Sequence, residues 1–304
     1  MKTLYIECKM GAAGDMLTAA LLEVLSEPDA FIDKMNGLNI PRVKISCAPA
    51  VKCGITGTSV TVTVDEIEEG SIDVALGHKS LHGQCDHDFD HTFEGLSQYK
   101  MHEHDGESAV AIKDAVAHGL LDHDHDYDDD PAHPHYHRNL AEISSIIGSL
   151  AISDKVKSDA LAVYGLIAGA EAAVHGMPID QIHFHEVGTI DAVADIVGVC
   201  LLIEELGAEK IIVSPVHVGS GQVQCAHGVL PVPAPATAYI LRDVPCYGGS
   251  IEGELCTPTG AALLKHFADE FGAMPIMTTE RIGYGMGKKD FPSANCVRVF
   301  MGES

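Results

Sequence analysis

Residues 3–26 read TLYIECKMGAAGDMLTAALLEVLS. Thr3 to Cys8 is a short apolar run and reads as a strand. Gly11-Ala12-Ala13-Gly14 is a turn. From Asp15 to about Ser26, Leu17, Leu21, Val24 and Leu25 fall on one helical face. Asp15 sits where an N-cap or first-turn acid belongs. The chain therefore opens as strand, turn, helix.

Two further strand-like runs follow, Val43 to Cys47 and Ser59 to Val64, the second with clean alternation. Beyond residue 137 the pattern turns helical. Asn139 to Leu150 places Leu140, Ile143, Ile146, Ile147 and Leu150 at helical spacing. Ser153 caps a long helix stopped by Gly176 and Pro178. Residues 181–187 read as a short strand. Thr189 caps a helix that runs to Leu206 and stops at Gly207. Residues 211–218 read as one strand. Thr257-Pro258 opens a helix expected to reach Phe271. A strand closes the chain at 296–300. Strands and helices alternate without a strict βαβ rhythm, which predicts mixed α/β layers.

The 304 residues carry 44 acidic and 19 basic side chains, a formal net charge of −25. That balance argues against nucleic acid and against anionic membrane surfaces, both of which need Lys and Arg. No apolar run is long enough to span a membrane, and the charged start does not read as a signal peptide. The nine cysteines include no C-x-x-C pair, so neither a disulfide framework nor a zinc ribbon is indicated. A reducing cytoplasm is the expected compartment.

Histidine is the anomaly. Residues 78–137 hold twelve of the 18 histidines, with fourteen Asp/Glu and three Lys. Such a segment has little apolar surface to offset its ordering entropy. The expectation is a largely disordered insertion with one short helix at 108–118. Three parts are expected: an N-terminal α/β part over 1–76, the acidic His-rich insertion over 77–137, and an α/β body over 138–304 that completes the core. His102, His104, His123, His125, His133, His135 and His137 are spaced so that an extended chain can wrap imidazoles around an ion. Imidazole suits nickel, zinc and copper, and residue type alone does not choose among them. The alternative is a solvated acidic linker.

Two candidate sites lie in the ordered part. In a strand, His183 and His185 share one face while Phe184 packs on the other. Glu186 follows at the strand end. Asp191 and Asp195, one helical turn apart, share a face of the next helix. A His pair beside an Asp pair suits a divalent ion. The plainer reading is that Asp191 favours the helix dipole and that backbone groups satisfy the histidines. The second candidate is Cys225 with His227, and His217 just upstream, a set that suits a soft or borderline metal. Cysteine is also often just a small core residue. Three glycine-rich turns, Gly11 to Gly14, Gly219 to Gly221 and Gly283-Tyr-Gly285-Met-Gly287, offer backbone amides to a phosphate. Glu7 and Asp15 flank the first, which favours a bridging cation over a bare phosphate. No Walker A or Rossmann fingerprint is present.

Taken in order, G-x-x-G-D-M at 11–16, the His-rich insertion, H-F-H-E-V-G at 183–188, V-H-V-G-S-G to A-P-A-T-A over 216–238, T-P-T-G-A-A-L-L at 257–264 and G-Y-G-M-G at 283–287 resemble the LarC family. The likeness runs over nearly the whole chain. It implies a lyase-class nickel chelatase of nickel-pincer nucleotide biosynthesis. Members insert Ni²⁺ into pyridinium-3,5-bisthiocarboxylic acid mononucleotide in a CTP-dependent step, with Mg²⁺ or Mn²⁺, and the product serves lactate racemase. Asp15, His183, His185, Glu186, Asp191, Asp195 and His227 match family motif positions, and Glu7 stands where the family more usually has Asp. Members also continue into a C-terminal domain associated with CTP, whereas this chain stops at Ser304.

The expected function is therefore nickel insertion, with this chain as the nickel-handling portion. Glu7, Asp15, Glu186 and Asp191 are the candidate acid–base residues. Gly11, Gly14, Gly219, Gly221 and Gly285 are the candidate cofactor contacts. His183, His185, Asp195, His217, Cys225 and His227 are the candidate metal ligands, together with the insertion histidines. Expected partners are nickel, the dithiolated pyridinium precursor, the C-terminal LarC domain and lactate racemase apoprotein, with homo-oligomerisation left open. The rival is a non-catalytic nickel chaperone or store, which needs only the His-rich segment.

Overall fold

The structure, a computed structural model, describes residues 1–65, 67–68, 138–184, 188–225 and 228–304. The expected insertion, its helix at 108–118 and all its candidate histidines lie outside the described residues. So do His185, Glu186 and His227.

The opening run folds as read. β1 (Lys2–Glu7) leads through Gly11 to α1 (Gly14–Glu23), with Asp15 in the first turn. α2 (Pro28–Gly37) follows, with Pro28 at its first position, where the missing N–H costs nothing. Then come β2 (Val43–Lys52) and β3 (Ile55–Val64). These strands are longer than the periodicity predicts. Cys53 and Gly54 both take positive φ, 49° and 78°, as a two-residue hairpin turn of matching twist requires. The strands therefore pair along their whole length, from Val43↔Val64 to Lys52↔Ile55.

The later helices follow their caps. α3 (Leu140–Ser149) begins with a capping box between Asn139 and Glu142. α4 (Asp154–His175) starts on the Ser153 hydroxyl, which accepts from Val156 N, and ends at left-handed Gly176. α5 (Ile190–Leu206) ends at left-handed Gly207. Three expectations need correction. The 211–218 run splits into β4 (Lys210–Val213) and a two-residue strand Val216–His217. Pro215 cannot donate to a ladder, and the Ser214 hydroxyl instead accepts from Cys8 N at 2.8 Å. After the short helix α6 (Pro235–Ile240), α7 (Pro258–Phe267) stops before Phe271. There the Asp269 carboxylate accepts from Ile211 N at 2.8 Å and draws the chain into β5 (Glu270–Phe271). Finally, Gly283 to Met286 is not a turn. It is the end of β6 (Thr278–Met286), which pairs with β7 (Cys296–Glu303).

One mixed eight-stranded sheet results, in the order β5-β4-β1-β7-β6-β3-β2, with Ile67–Glu68 added beside β3. β1 lies parallel to β4 and antiparallel to β7. The first strand is thus enclosed by strands from the last third of the chain. Leu4 and Ile6 enter the core with Val297, Val299 and Met301, while Tyr5 and Glu7 face the other way beside Phe300 and Arg298. α1 lies on the core face, so close that a Cβ on Gly285 of β6 would sit 1.9 Å from Met16 O. α5 packs beside α1, and α4 packs on α5. Of the 17 residues of α5, 13 are buried, and the other four are its acids, Asp191, Asp195, Glu204 and Glu205. Among the described residues no helix is long and apolar enough to cross a membrane.

Candidate acid and metal site

The acids in the first two turns of α5 are Asp191 and Asp195. Asp195 lies directly against the start of α1, where a Cβ on Gly14 would sit 2.7 Å from its Oδ2. Only glycine leaves room for this carboxyl. Asp15, the next residue, adds a third acid. Oδ1 of Asp191 and Oδ1 of Asp195 are buried without a hydrogen-bond partner. Burial first, and then the charges of Asp15 and Asp191, push the Asp195 carboxyl well above the usual carboxylate range. Lys288 opposes them. An ionised carboxyl so placed is costly unless a cation meets it.

Tyr164 of α4 completes the cluster. It is fully buried, and its ring stands edge-on to Phe184 with centroids 6.0 Å apart. Its hydroxyl has no partner. Burial, reinforced by the charges of Asp191 and Asp195, raises its pKa well above the ordinary phenol value, with Arg138 opposing. Residue spacing pointed to the Asp pair. It did not point to Tyr164, which reads as one more member of the apolar face of α4. Nor did it point to the approach of Asp15, which comes from a helix about 180 positions away.

Glu7 is placed differently. It is buried but ion-paired with Arg298, and Lys9 lies 2.9 Å from it. His217 is also buried. Its Nδ1–H donates to Lys9 O at 2.8 Å, its ring stacks on Tyr247 at 4.6 Å, and its Nε2 has no partner. Nε2 faces Gly249, where a Cβ would sit 2.3 Å away. Cys225 lies on the hairpin of Gln222–Cys225 and Gly228–Pro231, and its thiol donates to Gly228 O at 3.4 Å. His183 is in the short strand His183–Phe184, which pairs with Arg138–Asn139. Among the described residues no three His, Cys, Asp or Glu side chains converge on a metal-sized space.

The glycines serve close packing more than ligand contact. Cβ atoms on Gly11 and Gly219 would sit 1.9 and 2.0 Å from the carbonyls of Leu255 and Gly253. Gly221 alone of the five candidates has open surroundings, with Glu252 Cβ the nearest atom at 3.9 Å.

The start of α5 thus carries two carboxyls, Asp191 and Asp195, each with a buried Oδ1 that has no hydrogen-bond partner. A family model described as nickel insertion protein matches residues 4–304. The chain belongs to this nickel insertion family. Relatives within it carry the same description in fuller form. A pyridinium-3,5-bisthiocarboxylic acid mononucleotide nickel insertion protein from Desulfitobacterium hafniense (strain DSM 10664 / DCB-2) is 35% identical over 303 residues, covering 100% of this chain and 59% of that protein. One from Clostridium kluyveri is 36% identical over 304 residues, with 100% and 62% covered. One from Geobacillus kaustophilus is 33% identical, with 100% and 60% covered. The chain therefore spans about three fifths of the length of these nickel insertion proteins. No solved structure matches it.

Proposed function

We propose that this chain carries the nickel-handling part of nickel insertion into pyridinium-3,5-bisthiocarboxylic acid mononucleotide. The observation that carries the reading is the meeting of residue types at the start of α5. In sequence, His183, His185 and Glu186 stand just before a helix whose first turns hold Asp191 and Asp195, each with a buried Oδ1 that has no partner. In this reading the 77–137 segment collects Ni²⁺ and His183 and His185 receive it, since imidazole suits nickel. Two thiocarboxylate sulfurs of the substrate replace the protein ligands, and a ring carbon gives up its proton as the Ni–C bond forms. Glu186 takes that proton. Asp15, Asp191 and Asp195 supply the negative field for a pyridinium ring and a metal.

The resemblance to LarC also implies CTP with Mg²⁺ or Mn²⁺. The close-packed glycines fit backbone better than phosphate, and no part of the proposed step depends on CTP contacts in this chain. Lactate racemase as recipient and the cytoplasm as compartment belong to the same reading.

The test is direct. The purified chain is mixed with the dithiolated precursor, Ni²⁺, CTP and Mg²⁺ or Mn²⁺, with and without the C-terminal part of a longer relative. Mass spectrometry then looks for the metallated product. Product in either mixture is the expected result. Nickel bound but no product in both would replace insertion with storage or delivery.

A further inference from the structure

The nickel-handling reading leaves one buried histidine unused. His217 is 6% exposed and lies just beyond β4, as Lys9 lies just beyond β1. β1 and β4 run parallel, and open α/β sheets take their ligands at the carboxyl ends of parallel strands. His217 joins its neighbours there into one unit. Its backbone N–H donates to Cys8 O at 3.1 Å and its Nδ1–H to Lys9 O at 2.8 Å. Its Nε2, which has no partner, packs against Gly249, where a Cβ would sit 2.3 Å away. The imidazole is thus held at both edges. Tyr247 lies opposite it in the short parallel pair Val216–His217 and Cys246–Tyr247. The two rings stack, 10° from parallel, with centroids 4.6 Å apart. One face of Tyr247 is therefore taken. The residue is still 44% exposed, so its other face meets solvent.

Charge adds a second signature. The chain as a whole is at −25, yet here cations outnumber the acid. Glu7 is ion-paired with Arg298, and Lys9 is a second cation 2.9 Å from it, with its side chain 69% exposed. Burial raises the Tyr247 pKa and Lys9 opposes the rise, as an ammonium beside the ring does. An aromatic face edged by a surplus cation suits a planar ring that carries acid groups. A cationic ring gains further from the electron-rich face of the tyrosine. A pyridinium ring bearing thiocarboxylates and a phosphate has all of these properties. We propose that Tyr247 and Lys9, tied together by His217, hold the pyridinium mononucleotide, with the ring stacked on the open face of Tyr247 and Lys9 meeting one of its acid groups. The inference rests on the insertion reading for the identity of the ring. The turn that starts at Lys9 ends at Gly14, against the Asp195 carboxyl, so one turn joins this surface to the acids of α5.

The test uses the full chain without metal or CTP, so it needs no product. The probe is pyridinium-3-carboxylic acid mononucleotide, which has the ring, one acid group and the phosphate but no sulfur. Saturation-transfer NMR titrations read its affinity and show which of its protons touch the protein. The pyridinium protons should receive the most saturation. Tyr247→Leu should weaken binding about tenfold, the scale of a lost stacking contact, and Tyr247→Phe should restore it. Lys9→Met leaves Glu7 paired with Arg298 and should weaken binding about three- to fivefold, the scale of an exposed ion pair. His217→Phe keeps a ring behind Tyr247 but loses the bond to Lys9 O, so it should keep the saturation pattern and weaken binding as Lys9→Met does. Thermal melts confirm folding. No binding by wild type, or binding that Tyr247→Leu leaves unchanged, would overturn the surface. Full affinity in His217→Phe would remove the tie. Equal binding of cytidine monophosphate, which has the sugar and phosphate with a neutral base, would overturn the pyridinium assignment. Probe binding as expected with no product in the insertion assay would keep the surface and sink the insertion reading. Product from Tyr247→Leu at the wild-type KM would do the reverse.

Discussion

Glu7 at the end of β1 is a buried acid, Asp195 across from the start of α1 a half-buried one with a buried Oδ1, and they are treated in opposite ways. Glu7 has Arg298 opposite it on β7 and Lys9 at 2.9 Å. Its charge is met within the fold. Asp195 has Oδ1 unpartnered, two other acids near it, and Lys288 as an opposing charge. Its charge is not met within the fold. A fold keeps an unpaired buried acid at a cost in stability, and the usual return is function. The contrast sets a carboxylate met within the fold against one that is not, where the sequence reading places Glu7 among the acid–base candidates and Asp195 among the metal ligands.

The comparison can be broken at several points. The largest effect is expected from Asp191→Asn/Asp195→Asn, which should lower metallated product by about 100-fold, the scale of losing electrostatic stabilisation at a reacting centre. Product within threefold of wild type would make the pair structural. Next comes Glu7→Gln. It should cost about 2 kcal/mol of unfolding free energy, the scale of a charged hydrogen bond, with Arg298 partly exposed and screened. Product per folded molecule should stay unchanged. A tenfold loss of product with the fold intact would place Glu7 in the chemistry.

The third prediction concerns pH. The folded state holds the Asp195 proton well above the ordinary value, because of burial and the neighbouring acids. The unfolded chain releases it near pH 4. Above that point the native state binds more protons, so this group's contribution is fully present below about pH 4 and is lost as pH rises toward the elevated folded value. Metal-free Asp195→Asn should therefore melt higher than wild type at pH 8 and show a flatter decline from pH 5 to pH 8. Equal slopes would mean that Asp195 is ionised in the fold. The smallest effect is that of Tyr164→Phe, which removes an unpartnered hydroxyl and should change stability by less than about 1 kcal/mol. A larger loss, measured by denaturant unfolding, would reveal a hydrogen bond that the unpartnered hydroxyl lacks here.

Much of the fold was legible because the cues were local. Asn139 with Glu142, Ser153, Gly176 and Gly207 each mark a helix end through groups a few residues apart. α2 was not read, because its core-facing side rests on Phe31 and Met35 alone and its other positions are largely polar. The end of α7 was misread because Asp269 answers to Ile211, 58 residues away. The site divides in the same manner. Asp191 and Asp195 are one turn apart on one helix, and spacing finds them. Tyr164 and Gly14 reach them through helix packing, which no window of sequence contains.

The enclosure of β1 has a consequence for biosynthesis. Lys2 pairs with Glu303 and Glu7 with Arg298, so β1 waits for β7, made nearly 300 residues later. At ribosomal rates of about 5–20 residues per second, that wait is roughly 15 to 60 s. Throughout it Leu4 and Ile6 lie on a strand without its β7 neighbour, with backbone groups open to any passing partner. Early cover by α1 shortens that exposure, and a translational pause between β1 and β7 would lengthen it.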